Sequence, residues 1–243
     1  MKIATIINYC TNDYRFINKC IEQAKKFSDQ IIVPISSHYF NGDPENKDLL
    51  IRTYKENPNI TFVEYEWTTG QTSRYWHNMS RIVGTSVLDN DIEWVLFLDA
   101  DEIVDVDLMN VLLSGNILDN YDSLELACYW YFREPTNQST RLEQQSILVR
   151  KNLISIIPNS DWEREQLRVG RYRGNVMVEN HPIIHHYSWV RTKDEMLKKV
   201  KTWGHNKDKD WSSLVEQEFT HPFNGTDFIH GYQYNQVENK FNL

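Results

Sequence analysis

No stretch of this 243-residue chain approaches the roughly 18 consecutive apolar residues of a membrane-spanning helix. Met1 to Tyr9 is too short an apolar run for a signal peptide and lacks a small-residue cleavage site. The expectation is a soluble, cytoplasmic protein. Cysteine is scarce. Cys10, Cys20 and Cys128 are far apart and odd in number, which gives neither a disulfide framework nor a metal-ligand spacing and points to a reducing compartment. The sequons at Asn78, Asn137 and Asn224 carry little weight without a secretory route. Positive charge is also in deficit: 26 Lys and Arg against 34 Asp and Glu leave a net charge of −8, which argues against a dedicated nucleic-acid binder. The local exception is a basic stretch holding Arg164, Arg168, Arg171 and Arg173. Internal repeats and low-complexity linkers are absent.

The length suits one α/β domain with a full core. Ordinary hydrophobic and charged fractions exclude wholesale disorder. Aromatic rings are plentiful, with eight Trp and thirteen Tyr, and flat rings with a polar edge stack on sugars and bases as readily as they fill cores. Lys2 to Asn8 reads as a first strand, followed by Thr11-Asn12-Asp13 as capping side chains and by Ile17, Cys20, Ile21, Ala24 and Phe27 at helical spacing up to Asp29. Gln30 to Ile35 reads as a strand, Lys47 to Glu56 as a helix, and Ile60 to Tyr65 as a third strand. This alternation predicts a parallel sheet with right-handed crossovers. A helix bearing Trp76, Met79, Ile82, Val83 and Val87 then leads to the apolar run Glu93 to Leu98. The second half changes character. Strands are predicted near Ser123 to Phe132, Ser146 to Arg150 and Pro182 to Tyr187, with an irregular basic stretch from Trp162 to Gly174. A helix follows over Lys193 to Trp203.

The run Trp94-Val95-Leu96-Phe97-Leu98 stops abruptly at Asp99-Ala100-Asp101-Glu102. A buried parallel strand that ends in carboxylates sits where open α/β sheets collect ligands. Two aspartates separated by one small residue form a compact oxygen-rich site for a hard divalent cation, Mg²⁺ or Mn²⁺, which in turn would bind a diphosphate. Asp105 and Asp107 read instead as the cap and first-turn charge of the next helix.

At this point the chain resembles glycosyltransferase family 2-like enzymes with the GT-A fold. The likeness rests on Trp94 to Val104 around the Asp-x-Asp segment, on Gly70 followed by a helix with Asn78 and Arg81, and on His186-Tyr187-Ser188-Trp189-Val190-Arg191 with Met196, Lys199 and Trp203-Gly204-His205. The last group is similar to a His-Tyr-Gly-Trp-Val-Arg … Met-x-x-Lys tail found in a bacterial and viral subset. The matches cover most of residues 1 to 205. They imply a Rossmann-like, mostly parallel sheet flanked by helices, with 1–104 as the nucleotide-sugar-binding half, 105–205 as the acceptor-facing half, and 206–243 as a C-terminal extension of the same domain. They further imply a UDP- or GDP-sugar donor and metal ligation at Asp101. Asp99 would reach the metal through water or touch the donor, and His186 would complete the site, with His185 as the alternative. Neighbours on a strand face opposite ways, so only one of the two histidines serves. By the same resemblance the base and ribose would meet Tyr9, Thr11 and Asn12. Arg191 and Lys199 suit the diphosphate, one by bidentate contact and the other as a point charge. Arg15 is a further phosphate candidate. The chain departs from the family at the end of the second strand, where Ser36 and Ser37 stand in place of an aspartate: a hydroxyl supplies a hydrogen bond but no charge.

An inverting transferase needs a carboxylate to deprotonate the acceptor hydroxyl. Asp161 and Glu163 beside Trp162 are the candidates, with Glu134 behind them. The acceptor is expected to be a hydroxyl of a glycan, lipid or protein. Two alternatives remain open: transfer to a modified nucleic-acid base, suggested by the arginine stretch, and a metal-dependent phosphohydrolase.

Overall fold

The computed structural model describes residues 1–158 and 164–243. In chain order the elements are β1 (Ile3–Asn8), α1 (Tyr14–Ala24), β2 (Gln30–Ile35), α2 (Lys47–Glu56), β3 (Thr61–Glu64), α3 (Ser73–Thr85), β4 (Trp94–Asp99), β5 (Glu102–Val104), α4 (Val106–Ser114), α5 (Ile117–Asn120), β6 (Ser123–Phe132), β7 (Glu134–Arg150), β8 (Tyr172–Val178), β9 (His181–Pro182), β10 (Ile184–Trp189), α6 (Lys193–Thr202), α7 (Trp211–Glu218) and β11 (Tyr234–Gln236).

The strands form one sheet ordered β3-β2-β1-β4-β7-β6-β10-β5, with β11 added to β7 and β8 to β6. Its first four strands are parallel, and from β7 onward the pairing is mixed. β1 and β4 read as continuous apolar runs because helices cover both sheet faces, and every residue of β1 is buried. On one face Ile17, Cys20, Ile21 and Ala24 of α1 pack against Ile7, Leu96 and Leu98. On the other, α3 lies directly on the sheet: a Cβ at Gly84 would sit 2.7 Å from Ile6 Cγ2, so a larger residue there would push the helix off.

Two elements differ from the sequence expectation. β7 extends over Glu134–Arg150, far beyond the apolar Ser146 to Arg150, because polar residues 134–145 are recruited by backbone pairing with β6 and β11 rather than by an apolar pattern. β8 begins at Tyr172, inside the stretch expected to be irregular. It is held by Arg171, whose backbone and guanidinium both bond Asp122, and by parallel pairing with β6. Asn78 and Asn137 are buried, so neither sequon presents its side chain. No helix among the described residues is long and apolar enough to cross a membrane.

Candidate active site

The parallel register of β1 on β4 runs from Ile3 against Trp94 to Asn8 against Asp99, so both strands end at the same level. Asn8 Nδ2 donates to Asp99 Oδ1 at 3.1 Å, and Ser80 of α3 donates to Asn8 Oδ1 at 2.5 Å. Arg81, one residue along α3, donates to Asp99 Oδ1 at 2.7 Å. Burial pushes the Asp99 carboxyl up, but Arg81 and Arg164, aided by His77, hold it below the usual carboxylate range. Its second oxygen stands 3.6 Å from Arg164.

The chain then reverses. β5 pairs antiparallel with β10, setting His186 opposite Glu102 and His185 opposite Ile103, and the Tyr187 amide donates to Asp101 O at 2.8 Å. His186 thereby stands 3.3 Å from Asp101 Oδ1. Asp101 Oδ2 accepts from Lys199 Nζ at 2.9 Å and from Arg191 at 3.3 Å. Although burial opposes ionisation, Lys199, His186 and Arg191 hold the Asp101 carboxyl well below its ordinary value. Arg191 also bonds Asp13 and the Asn12 carbonyl. Glu102 is fully buried and takes both nitrogens of Arg164, each at 2.7 Å. Asp13, Asp99, Asp101 and Glu102 thus face Arg81, Arg164, Arg191 and Lys199: four acids against four basic side chains.

This cluster floors a cleft of about 500 Å³. Asn8, Tyr9, Cys10, Asn12, Phe40 and His77 line it, as do Trp130, Glu143, Gln144, Gln145 and Glu165, and Trp203, His205, Trp211, Ile229 and His230 from the C-terminal part of the chain.

Of the residues singled out from sequence, Asp99, Asp101, His186 and Lys199 meet in the cleft, and Arg191 reaches it through Asp101. Tyr9 and Asn12 also line it, although the Tyr9 hydroxyl is tied to Thr53 and Asn12 Nδ2 donates to Thr202. Thr11 is engaged elsewhere: its amide and hydroxyl both bond the buried Glu45. Ser36 is buried, accepts from the His38 amide and does not line the cleft. Arg15 bonds the Val190 carbonyl and Glu195. His185 points to the opposite face, where its Nδ1 lies 2.7 Å from Tyr131 OH and burial lowers its pKa to about 3. Glu134 is exposed and outside the cleft lining, while Asp161 and Glu163 lie outside the described residues.

Three of the four arginines in the basic stretch are paired with acids. Arg164 pairs with Glu102, Arg168 with Glu125 and Arg171 with Asp122, and Arg173 lies over the Tyr121 ring. Sequence reasoning gave Asp13 only a capping role and Asn8 only a place at the exit of the first strand, and it did not reach Trp130. The only trace of Asn8 in the sequence is that it ends a strand, and strand register is not written in one sequence.

No protein-family model and no curated protein sequence matches this chain. Among solved structures it is similar to the mannosyltransferase PcManGT from Pyrobaculum calidifontis in complex with GDP-Man and Mn²⁺, with a TM-score of 0.51 and 9% identity over 83% of this chain and 61% of that one. It is also similar to S. aureus TarS 1-349, at a TM-score of 0.49 and 13% identity over 90% and 73% of the two chains, and to the same protein in complex with UDP-GlcNAc, at 0.46 and 12% over 89% and 70%. The fold is the GT-A fold, with a curled central sheet and flanking helices.

Proposed function

We propose that this chain is a glycosyltransferase that moves a sugar from a nucleotide-sugar donor to an acceptor hydroxyl, with the donor diphosphate over Asp99 and Asp101. One observation carries the reading: two carboxylates leaving a core strand meet a histidine, a lysine and an arginine from the far end of the chain, on the floor of an open cleft. The shared GT-A fold supports it.

The residues fit a divalent ion conditionally. Adjacent ligands of an octahedral ion with bonds of about 2.1 Å lie roughly 3 Å apart, and Asp101 Oδ1 and His186 Nε2 stand 3.3 Å apart. Asp101 keeps its other oxygen for Lys199 and Arg191, so this edge is separate from those contacts. Among the described residues no three His, Cys, Asp or Glu side chains converge to hold an ion by themselves. The remaining ligands would therefore be donor phosphate oxygens, a mode that suits Mn²⁺ or Mg²⁺. Charge leads to the same coupling: four acids stand against four basic side chains, and an unpaired buried charge is costly. A dication and a doubly charged diphosphate entering together add no net charge to it, whereas either alone does. When bound, the ion would act as a Lewis acid on the leaving diphosphate.

Lys199 and Arg191 would hold phosphate oxygens while orienting Asp101, and Arg81 keeps Asp99 ionised and aimed at the donor. Phe40 and His77, whose ring centroids are 4.9 Å apart, offer the base an aromatic flank. Asp161 and Glu163 remain the candidates for the base that takes the acceptor proton. The stereochemical outcome proposed is inversion. The nucleic-acid alternative is weaker, because three of its four arginines are paired with acids.

Thermal melts with UDP-GlcNAc and GDP-Man, each with and without Mn²⁺, test the proposal. A donor at 100 times its Kd stabilises by about 2.7 kcal/mol, so at least one donor should raise the Tm, and only when Mn²⁺ is present. Melts unmoved by every nucleotide sugar and nucleotide, with or without metal, would overturn it.

A further inference from the structure

Beyond the acid cluster, the cleft lining combines unlike chemistries. Trp130 stands edge-on to His186, with centroids 4.8 Å apart, and edge-on to His230 at 5.1 Å, so an aromatic surface runs from the acid cluster toward the cleft mouth. Glu143, Gln144 and Glu165, two carboxylates and an amide, line the same cleft.

The aromatic surface is held in shape by a separate device. Asp227, which is 3% exposed, accepts from the amides of Ile229, His230, Gly231 and Tyr232 and from the Tyr234 hydroxyl. Four backbone donors on one carboxylate fix the loop, and that loop presents Ile229 and His230 to the cleft. Tyr232 in turn donates to Glu143 Oε1 at 2.5 Å, tying the loop to the polar wall and fixing the spacing between the two.

We infer that this part of the cleft is an acceptor subsite for an uncharged saccharide. A sugar ring offers an apolar C–H face to the Trp130–His230 surface and hydroxyls to the neighbouring carboxylates and amide, which accept the hydrogen bonds that hydroxyls donate. The same carboxylates repel phosphate. Glycans bearing phosphate and nucleic acids are therefore disfavoured, and a lipid chain finds too polar a wall. The inference rests on the transferase reading for the identity of the reaction, but the subsite's chemistry stands on these walls alone.

The test is a glycan array probed with the full chain in the presence of UDP or GDP and Mn²⁺, carrying neutral oligosaccharides and their phosphorylated counterparts. Binding is expected on neutral glycans, with phosphorylated counterparts weaker. His230→Ala, an exposed change, should cut the affinity about tenfold, the scale of one aromatic contact. Glu143→Gln keeps an acceptor for Tyr232 but removes the charge, and should narrow the gap between neutral and phosphorylated glycans. Preference for phosphorylated glycans, an array with no neutral glycan bound, or neutral binding indifferent to His230→Ala each overturns the inference. Nucleotide binding, followed separately by calorimetry, distinguishes the failures: if it persists while the array is blank, the acceptor assignment falls alone; if it is absent, the donor reading falls.

Discussion

On the cleft wall made by β1, β4 and α3, side chains are placed by backbone register; on the wall made by β6, α7 and the C-terminal segment, they are placed by ring packing. Asp99 sits where it does because Asn8 pairs opposite it across six registered residues. Trp211 sits where it does because Trp189 and Trp203 meet its ring at 6.0 and 5.3 Å and Met196, Val200 and Val215 close around them. The first wall contributes Asp99 and Arg81 to the charged cluster, and the second carries mostly rings. Substitutions should therefore fail differently: chemistry and stability together on the first wall, stability first on the second.

The largest effect is expected at Asp101. Asp101→Asn leaves Lys199 and Arg191 buried with their shared carboxylate gone. Removing one partner of a buried ion pair typically costs about 3–5 kcal/mol, which a thermal melt will read. Donor turnover should also fall by about 100-fold or more, the scale of a lost transition-state contact. A variant that melts early yet turns over donor normally would reduce Asp101 to architecture. On the opposite wall, Trp211→Ala should cost about 3–5 kcal/mol by opening a cavity among the rings. A melt shifted by less than a degree would show that the C-terminal rings are dispensable cover.

How much of each wall could be read beforehand follows from the same contrast. The apolar run from Trp94 to Leu98 and its abrupt acids are local patterns, and they gave β4 and the acid cluster directly. The tail from His186 to Lys199 was legible as a motif, though its meeting with Asp101 depends on the β5–β10 register. Polar residues 134–145 carry no apolar alternation, so the greater part of β7 was invisible until its partners were known. Thr11 misled because its surroundings are nonlocal: Glu45, 34 residues away, takes the amide and hydroxyl that looked available for a ligand. Three of the arginines from 164 to 173 looked like a basic face only because Glu102, Asp122 and Glu125, their partners, lie far off in sequence.

Glu45 itself sharpens the account of the first wall. Burial raises its carboxyl to about 7, while the Thr11 hydroxyl and amide pull the other way. Its folded pKa lies above its unfolded value, so the native state binds the extra proton and this contribution to stability is present at low pH. It is lost as pH rises from about 4.3 through about 7. Denaturant titrations at pH 5 and pH 8 should show the natural chain losing roughly 2 kcal/mol over that interval from this group. Glu45→Gln should lose little. Parallel pH curves for the two proteins would mean that Glu45 titrates normally and that Thr11 is not locked to it.

The smallest effect, and the sharpest comparison, lies within two consecutive residues. His185 and His186 sit side by side on β10, and strand geometry sends their rings to opposite faces. His185 is held neutral among Tyr129, Tyr131, Tyr187 and Phe241, and its hydrogen bond to Tyr131 is shared with Gln138, which also donates to that hydroxyl. Phenylalanine matches this ring environment, so His185→Phe should cost about 1 kcal/mol, the net worth of one hydrogen bond, and should leave the Mn²⁺-dependent donor melt shift in place. His186→Phe should fold comparably, because Trp130 already packs edge-on against that ring, yet abolish the shift. The pair separates register from residue type: the two substitutions are the same chemistry one position apart, and only the pleat of β10 tells them apart. If His185→Phe loses the shift and His186→Phe keeps it, the register of β10 against β5 is wrong by one residue, and the whole C-terminal contribution to the acid cluster goes with it.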